Sequence, residues 1–262
     1  MTVTIDCHFD VSIADLHTAI RAVLPHAEKP RLGDEVHALA RVRLTATANE
    51  LLLAATNGRT AALAAVGILD GSDSRAERFS ADDGEFIVDV HPAKLRDLRD
   101  GVTAQKDEGE LVGEAELTFT GPSADGQSPG TVAARDVGGL WIGSLTERPL
   151  LPLASDYPDI RGALRDALRL AEGTYKPLVA DGVDLDAFRA AARAYGRPLS
   201  VEPVGTAEQR GWLVLCGPSF AGSIQGQHDA DSLAKRDRYR QVHLERFGLV
   251  TALEKAVDEV FA

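Results

Sequence analysis

The stretch EVHALARVRLTATANELLLAATNGRTAALAAVGIL, residues 35–69, decides the fold. From Glu35 onward, apolar residues recur at every second position, which predicts a strand. One face of this strand carries Val36, Ala38, Ala40, Val42 and Leu44, and the other carries His37, Arg41 and Arg43. Asn49-Glu50 predicts a turn before a second strand, Leu51–Thr56, and Asn57-Gly58 is typical of a hairpin before a third, Thr60–Leu69. The stretch therefore predicts three consecutive antiparallel strands.

A strand and a helix precede these three strands. Residues Thr2–Phe9 alternate in polarity, as a half-buried strand does. Ser12 is a helix-capping residue type, and an apolar stripe at helical spacing follows it, formed by Ile13, Leu16, Ile20, Val23 and Leu24. The first unit therefore has the order strand, helix and three strands.

The same order starts again after residues 70–83, which are rich in Gly, Ser, Asp and Arg and predict an exposed connection. Glu85–Val90 predicts a strand, and Pro92 starts a helix whose buried side carries Leu95, Leu98 and Val102. Leu111–Thr120 predicts a strand in which one skipped step indicates a bulge or a later start of the strand. Thr131–Arg135 and Leu140–Leu145 complete the second unit.

A third, partial copy follows the Pro- and Leu-rich segment Arg148–Pro158, which predicts a domain boundary. Helices are predicted around Ile160, Leu164 and Leu168 and around Leu185, Phe188 and Tyr195. Leu199–Pro203, Trp212–Cys216 and Phe220–Gln225 predict strands. We therefore expect a domain of two repeats over residues 1–150, a reduced second domain over 151–228 and a helical segment over 229–262.

Composition and motifs exclude several classes of function. The 262 residues carry a net charge of −12, which argues against a protein coated with nucleic acid over its whole surface. Cys7 and Cys216 are isolated, and the seven histidines show no metal-ligand spacing, so we expect no cofactor or metal. No nucleophile or phosphate-binding pattern is present, which argues against an enzyme. Because no signal peptide or membrane span is apparent, we expect a soluble, cytoplasmic protein.

Three runs of sequence resemble the bacterial DNA sliding clamps, the beta subunits of DNA polymerase III. They are Leu32–Ala46 continued by Glu50–Gly58, then Gly84–Val88 with Leu95 and Leu98, and Asp156-Tyr157-Pro158-Asp159. The resemblance covers residues 1–160 well and 178–226 by pattern. It implies an α+β fold with antiparallel sheets outside and helices on one face, assembled as a homo-oligomeric ring around duplex DNA. It also implies a role in DNA replication as a processivity factor that holds a DNA polymerase and other replication proteins.

The predicted helices carry positive charges that could follow DNA phosphates without reading bases. Arg161, Arg165 and Arg169 are spaced four residues apart, and Arg189 and Arg193 repeat that spacing. The full set of candidate DNA-binding residues is Arg21, Lys94, Arg96, Arg99, Arg161, Arg165, Arg169, Arg189 and Arg193.

The sequence leaves open both the roles of individual residues and the function. Each of these arginines could be a solvated residue paired with a nearby aspartate such as Asp159, Asp166 or Asp186. Asp181, Asp184 and Asp186 could bind a cation or could simply favour the start of a helix. The chain has fewer domains than the clamps and ends in a helical pattern, so their pocket for partner peptides cannot be assigned to residues here. The alternative function is a degenerate clamp homologue that acts as an interaction or regulatory module without binding DNA.

Overall fold

The computed structural model describes residues 6–29, 36–47, 49–69, 85–102, 105–107, 110–121, 130–137, 145–169, 180–205 and 210–225, together with 234, 235, 237–239 and 242. Helices and antiparallel sheets are combined in these residues, so the predicted α+β class is confirmed.

The first unit begins with β1 (Asp6–Ser12) and α1 (Ile13–Val23). Ser12 caps the helix, because its Oγ accepts a hydrogen bond of 3.3 Å from the backbone N–H of Asp15. The predicted stripe of Ile13, Leu16, Ile20 and Val23 is fully buried. A 3₁₀ turn, Leu24–His26, with Pro25 in its first turn, ends the helix. Residues 2–5 of the predicted first strand lie outside the described residues.

Three strands follow, β2 (Val42–Ala46), β3 (Glu50–Thr56) and β4 (Thr60–Gly67). The hairpin turn is as predicted, since Asn57 Oδ1 accepts hydrogen bonds from the backbone N–H groups of Arg59 (2.9 Å) and Thr60 (2.8 Å) and Gly58 has a φ of 83°. The long strand predicted from Glu35 is wrong in its first half. Ala38–Ala40 forms a 3₁₀ turn, because His37 Nδ1 accepts a hydrogen bond from the backbone N–H of Leu39.

The second unit consists of β5 (Phe86–Val90), α2 (Pro92–Gly101), β6 (Gln105–Asp107), β7 (Glu110–Val112), β8 (Glu114–Thr120), β9 (Thr131–Asp136) and β10 (Leu145–Pro149). The skipped step in the predicted strand corresponds to Gly113, whose φ of 143° separates β7 from β8. The predicted strand Leu140–Leu145 lies mostly outside the described residues, and β10 begins where that prediction ended. β10 therefore extends into the segment that predicts a domain boundary.

The two units exchange their first strands. β1 pairs with β8 in a sheet of order β1-β8-β9-β10, and β5 pairs with β2 in the order β5-β2-β3-β4. The second sheet continues through β13 (Phe220–Gln225), β12 (Arg210–Leu215) and β11 (Ser200–Gly205), because β13 pairs antiparallel with β4. The third copy thus extends the sheet of the first unit to seven strands, and the division into domains stays a prediction.

The helices α3 (Ile160–Arg169) and α4 (Gly182–Tyr195) of the third copy pack on opposite faces of this seven-stranded sheet. Leu53, Ala55, Ala62 and Ala64 face α1 and α4 in the main hydrophobic core. Their strand neighbours Ala54, Ala61 and Leu63 face α3 instead, in a second cluster with Ile160 and Leu164. Because successive strand residues point to opposite faces, α3 is an exception to the expected arrangement with helices on one face.

Two predicted helix stripes are only partly right. Leu168 of α3 is 55% exposed, and Leu185 of α4 is also 55% exposed, whereas Asp184, Ala187, Phe188 and Ala191 form the buried side of α4. In the predicted C-terminal helical segment, residues 234, 235, 237–239 and 242 are helical. The predicted break at Gly248 lies outside the described residues.

Candidate nucleic-acid interface

Three helices, α1, α2 and α4, are neighbours in the structure. α1 packs against both α2 and α4, and α2 also covers β9 and β10. Leu95 and Leu98 of α2 and Phe188 and Ala191 of α4 are buried in the same core as the apolar stripe of α1. The polar side of each helix therefore remains exposed to solvent, and together these three sides form the surface that we call the helical face.

The helical face carries a nearly balanced charge, unlike the rest of the chain. The three helices contain six arginines and lysines and five aspartates, against a net charge of −12 for the whole protein. Among the described residues, ion pairs join Lys94 to Asp97 (3.7 Å), Arg99 to Asp100 (2.6 Å) and Arg189 to Asp186 (2.5 Å). Half of the predicted cations on this face are therefore neutralised by nearby aspartates.

The other three cations on the helical face are Arg21, Arg96 and Arg193, one on each helix. All three are exposed, and none forms an ion pair with another residue in the part of the chain that the structure describes. An exposed guanidinium without a carboxylate partner can bind a phosphate directly, because no existing pair has to be broken. These three residues are the strongest candidates on this face for contact with a polyanion.

The predicted arginines of α3 lie on the other face of the sheet. Arg161 pairs with Glu85, and Arg165 Nε lies 3.5 Å from Asp166 Oδ1. The side chain of Arg169 lies outside the described residues. The structure thus divides the predicted DNA-binding residues into two groups, and a single straight duplex cannot contact both faces of one sheet.

α4 is held against the hairpin of β3 and β4 by Arg59. Arg59 Nη1 lies 2.8 Å from Asp181 Oδ2, and its Nε lies 3.7 Å from Asp184 Oδ2. In the described residues no group of three or more His, Cys, Asp or Glu could hold a metal ion. The arginine supplies the positive charge at Asp181 and Asp184, which favours the interpretation of these aspartates as a helix start rather than a cation site.

His26 completes this junction and was not identified from the sequence. It is fully buried, its Nδ1 lies 3.1 Å from Thr60 Oγ1, and its ring packs edge-on against Phe188 of α4 at 4.5 Å. Burial lowers the pKa of His26 to about 3, since the apolar surroundings disfavour the charged imidazolium. A neutral histidine at this position keeps α1 and α4 packed together.

Asp89 anchors the segment 150–158 to the sheet. This fully buried carboxylate accepts hydrogen bonds from Arg43 Nε (2.8 Å), Arg41 Nη1 (3.3 Å) and the backbone N–H of Ala154 (2.9 Å). Arg41 and Arg43, which the sequence places opposite the apolar side of the predicted strand, both turn toward this buried charge. Only the isolated Asp in the apolar strand FIVDV could have indicated such a partner.

Tyr157 strengthens the same anchor. Its ring lies 4.2 Å from the guanidinium carbon of Arg43, and its hydroxyl donates a hydrogen bond of 2.7 Å to the backbone carbonyl of Ala54. Burial, together with the charge of Asp89, raises the pKa of the Tyr157 hydroxyl well above its ordinary value, so it remains a proton donor. The segment that carries Tyr157 is therefore hydrogen-bonded to the sheet at both Asp89 and Ala54.

No helix in the described part of the chain is long and apolar enough to cross a membrane. No protein-family model matches the chain, and no curated protein matches it either.

Solved structures do match this chain. The DNA polymerase sliding clamp from Bacillus subtilis aligns with a TM-score of 0.52 and 13% identity over 85% of this chain and 64% of the clamp chain. The DNA polymerase III subunit beta from Pseudomonas aeruginosa aligns with a TM-score of 0.51 and 13% identity over 85% of this chain and 65% of that one. The beta subunit from Thermotoga maritima aligns with a TM-score of 0.50 and 12% identity over 84% of this chain and 64% of that one.

The chain therefore spans just under two thirds of the length of these clamp chains. At such low identity the similarity shows the fold alone. The resemblance noted in the sequence is confirmed at that level: this protein has the fold of the bacterial DNA sliding clamps.

Proposed function

We propose that the protein is a clamp-like, non-enzymatic DNA-binding protein that contacts duplex DNA without sequence selection through the helical face. The observation that carries this proposal is the placement of Arg21, Arg96 and Arg193 on three neighbouring helices, each exposed and without an ion pair among the described residues. Contacts of arginine with phosphates position a protein on DNA but distinguish no sequence. Such contacts suit a protein that moves along a duplex.

Assembly from several copies is part of this proposal, because the resemblance to the sliding clamps implies a homo-oligomeric ring. In the described residues β10 is an edge strand, and its counterpart in the first unit, β4, pairs with β13. We infer that a second copy pairs along β10, so that the protein is a homo-oligomer. As a processivity factor in the cytoplasm, it would hold a DNA polymerase or another replication protein near the DNA.

Retention on circular DNA tests this proposal. We expect the protein to remain on nicked circular DNA and to leave linear DNA that has free ends. Arg21→Glu combined with Arg193→Glu should reduce retention at least about tenfold, because each reversal replaces an attraction to phosphate with a repulsion.

The matched control is Arg161→Glu combined with Arg165→Glu, which changes the same charge on the opposite face of the sheet and should leave retention unchanged. Equal losses in both double variants would contradict the assignment to the helical face.

The alternative is a protein-interaction or regulatory module without DNA binding. The three aspartate pairs on the helical face favour it, since they leave that face only weakly basic. Failure of the wild-type protein to bind either circular or linear DNA at low salt would select this alternative.

A further inference from the structure

The partial third copy of the repeated unit, with α4, β11, β12 and β13, is called here the third unit, and one edge of it is open. The first two units complete each other, since β1 pairs with β8 and β5 pairs with β2. β11 corresponds to β2, because each is the first of three consecutive antiparallel strands. In the part of the chain that the structure describes, no strand lies beside β11 where β5 lies beside β2.

The open edge leaves apolar side chains exposed on the side of the sheet that carries α4. The corresponding side of β2 is closed, with Val42 0% and Leu44 2% exposed. On β11, Val201 is 44% exposed, although its partner Val214 belongs to the main hydrophobic core. Leu185 of α4 is 55% exposed. The core of the third unit is therefore open at the position where the core of the first unit is closed.

The second unit closes the core of the first. Phe86 on β5 contacts Phe119 on β8, with 5.7 Å between the ring centroids, and Phe119 stacks on Phe9 of β1. All three rings belong to or pack against the cluster that contains Val42 and Leu44. Covering the third unit in the same way requires another unit with a helix and strands in this arrangement.

A second copy of this chain supplies such a unit. Because the exchange of strands between the first two units is reciprocal, an approximate two-fold axis relates them. Two third units from two chains can adopt the same relation, and a contact of this symmetry buries the same surface on both copies. It therefore covers Val201 and Leu185 on each chain without a complementary surface on an unrelated protein.

Pro203 limits what β11 can bind through its backbone alone. It pairs with Trp212, which packs against the main core, and it lies on the same side of the strand as Val201. Proline has no N–H group, and in an edge strand the missing donor is on the outer side. Such edges resist the addition of arbitrary strands. Binding at β11 therefore depends on side chains, which favours a partner with a matching apolar surface.

We propose that two copies of the chain join through β11 and Leu185 of their third units and form one complete two-unit domain shared between the chains. This contact reproduces the relation of the first two units to each other. It differs from the contact of β4 with β13 and from the proposed pairing along β10. It depends on neither DNA binding nor β10. With pairing along β10, which belongs to the proposed function, four copies can close a ring.

Analytical ultracentrifugation of the full chain tests the proposal. Val201→Asp and Leu185→Asp should each weaken the association at least about tenfold, because each would bury a charge in the contact. Both side chains are exposed in the single chain, so the variants should fold, and circular dichroism checks this. The matched control is Leu168→Asp on α3, because Leu168 is also 55% exposed but α3 packs on the opposite face of the sheet. It should leave the association unchanged.

Hydrogen exchange locates the contact. In the wild type, exchange of the backbone amides in residues 200–205 should slow as the protein concentration rises. In the variant that combines Val201→Asp with Leu185→Asp, it should stay fast at every concentration. Residues 145–149 of β10 report the other contact separately, so the two contacts can succeed or fail independently.

Two results would overturn the proposal. The first is exchange at residues 200–205 that does not change with concentration up to about 100 μM chain, where even a contact of modest affinity forms. Slow exchange at every concentration would mean that another part of the same chain covers β11. The second is unchanged association of the double variant, which would place the contact between copies elsewhere.

Discussion

Replacing Gly222 with alanine is expected to loosen α4 from the sheet. Gly222 lies in β13, next to the seam with β4, and a Cβ atom there would lie 2.6 Å from Phe188 Cε1 and 2.7 Å from the backbone oxygen of Ala61. Phe188 is 2% exposed and packed against His26 and Phe220, so its ring has no space into which it could move. The backbone oxygen of Ala61 belongs to β4 and cannot move without disrupting the pairing of β4 with β13.

The expected size of the effect follows from these contacts. Overpacking of a core costs about 1–3 kcal/mol, and Gly222 lies at the upper end because both contacts are shorter than 3.0 Å and neither neighbouring atom can move freely. The lower chain entropy of alanine offsets about 0.5–1 kcal/mol of this cost. We therefore expect Gly222→Ala to lower the free energy of unfolding by about 2 kcal/mol, which corresponds to a fall in Tm of about 4–8 °C for a protein of this size. Hydrogen exchange in α4 should accelerate, while that in α3 should change little.

Gly67→Ala is the matched control, because Gly67 lies in β4 of the same sheet and its added Cβ would meet nothing within 4 Å. Urea denaturation should place this variant within about 0.5 kcal/mol of the wild type. The reasoning is refuted if Gly222→Ala and Gly67→Ala are equally stable, or if α4 exchanges at the wild-type rate in both.

Three further predictions concern buried polar groups. Asp89→Ala should lower the free energy of unfolding by about 3–5 kcal/mol in urea titrations, because two largely buried arginines lose their carboxylate partner. The control Asp166→Ala removes one partner of an exposed pair and should lower the free energy of unfolding by less than about 0.5 kcal/mol. Because the pKa of His26 is lowered in the folded protein, the unfolded chain takes up a proton at this residue below about pH 6.5 and the folded protein does not. The free energy of unfolding should therefore fall by about 2 kcal/mol from this residue as the pH falls from 7 to 5. His26→Gln should remove this part of the pH dependence. Tyr157→Phe should lower the free energy of unfolding by about 0.5–1.5 kcal/mol through loss of the hydroxyl hydrogen bond to Ala54, and a loss below about 0.3 kcal/mol would show that this bond is unimportant.

Local patterns were sufficient to predict most of the elements. The stripe of α1, the Asn57-Gly58 turn and Pro92 at the start of α2 each depend on residues close in sequence, and each appears in the structure. Periodicity could also indicate that α3 has an apolar side. It could not indicate which face of the sheet that side covers, because the pairing of β13 with β4 is a long-range contact.

The parts of the site that the sequence did not predict also depend on contacts between residues far apart in the chain. Arg41 and Arg43 resemble solvent-facing residues of an alternating strand, and their buried partner Asp89 lies more than 45 residues away. His26 resembles a loop residue after a helix, but packing of Phe188 against it excludes water. The basic spacing of α3 was identified from the sequence, whereas its separation from the helical face required the sheet topology.

The salt dependence of duplex affinity tests the proposed DNA contact most directly. Three arginines that neutralise phosphates give a slope of about −2.7 in log K against log salt for each bound chain. Substitution of all three residues, Arg21, Arg96 and Arg193, by alanine is predicted to reduce the magnitude of the slope by about 2.7. Each single substitution should reduce it by roughly 0.9. A wild-type slope near zero, or an unchanged slope in the triple variant, would contradict binding through the helical face.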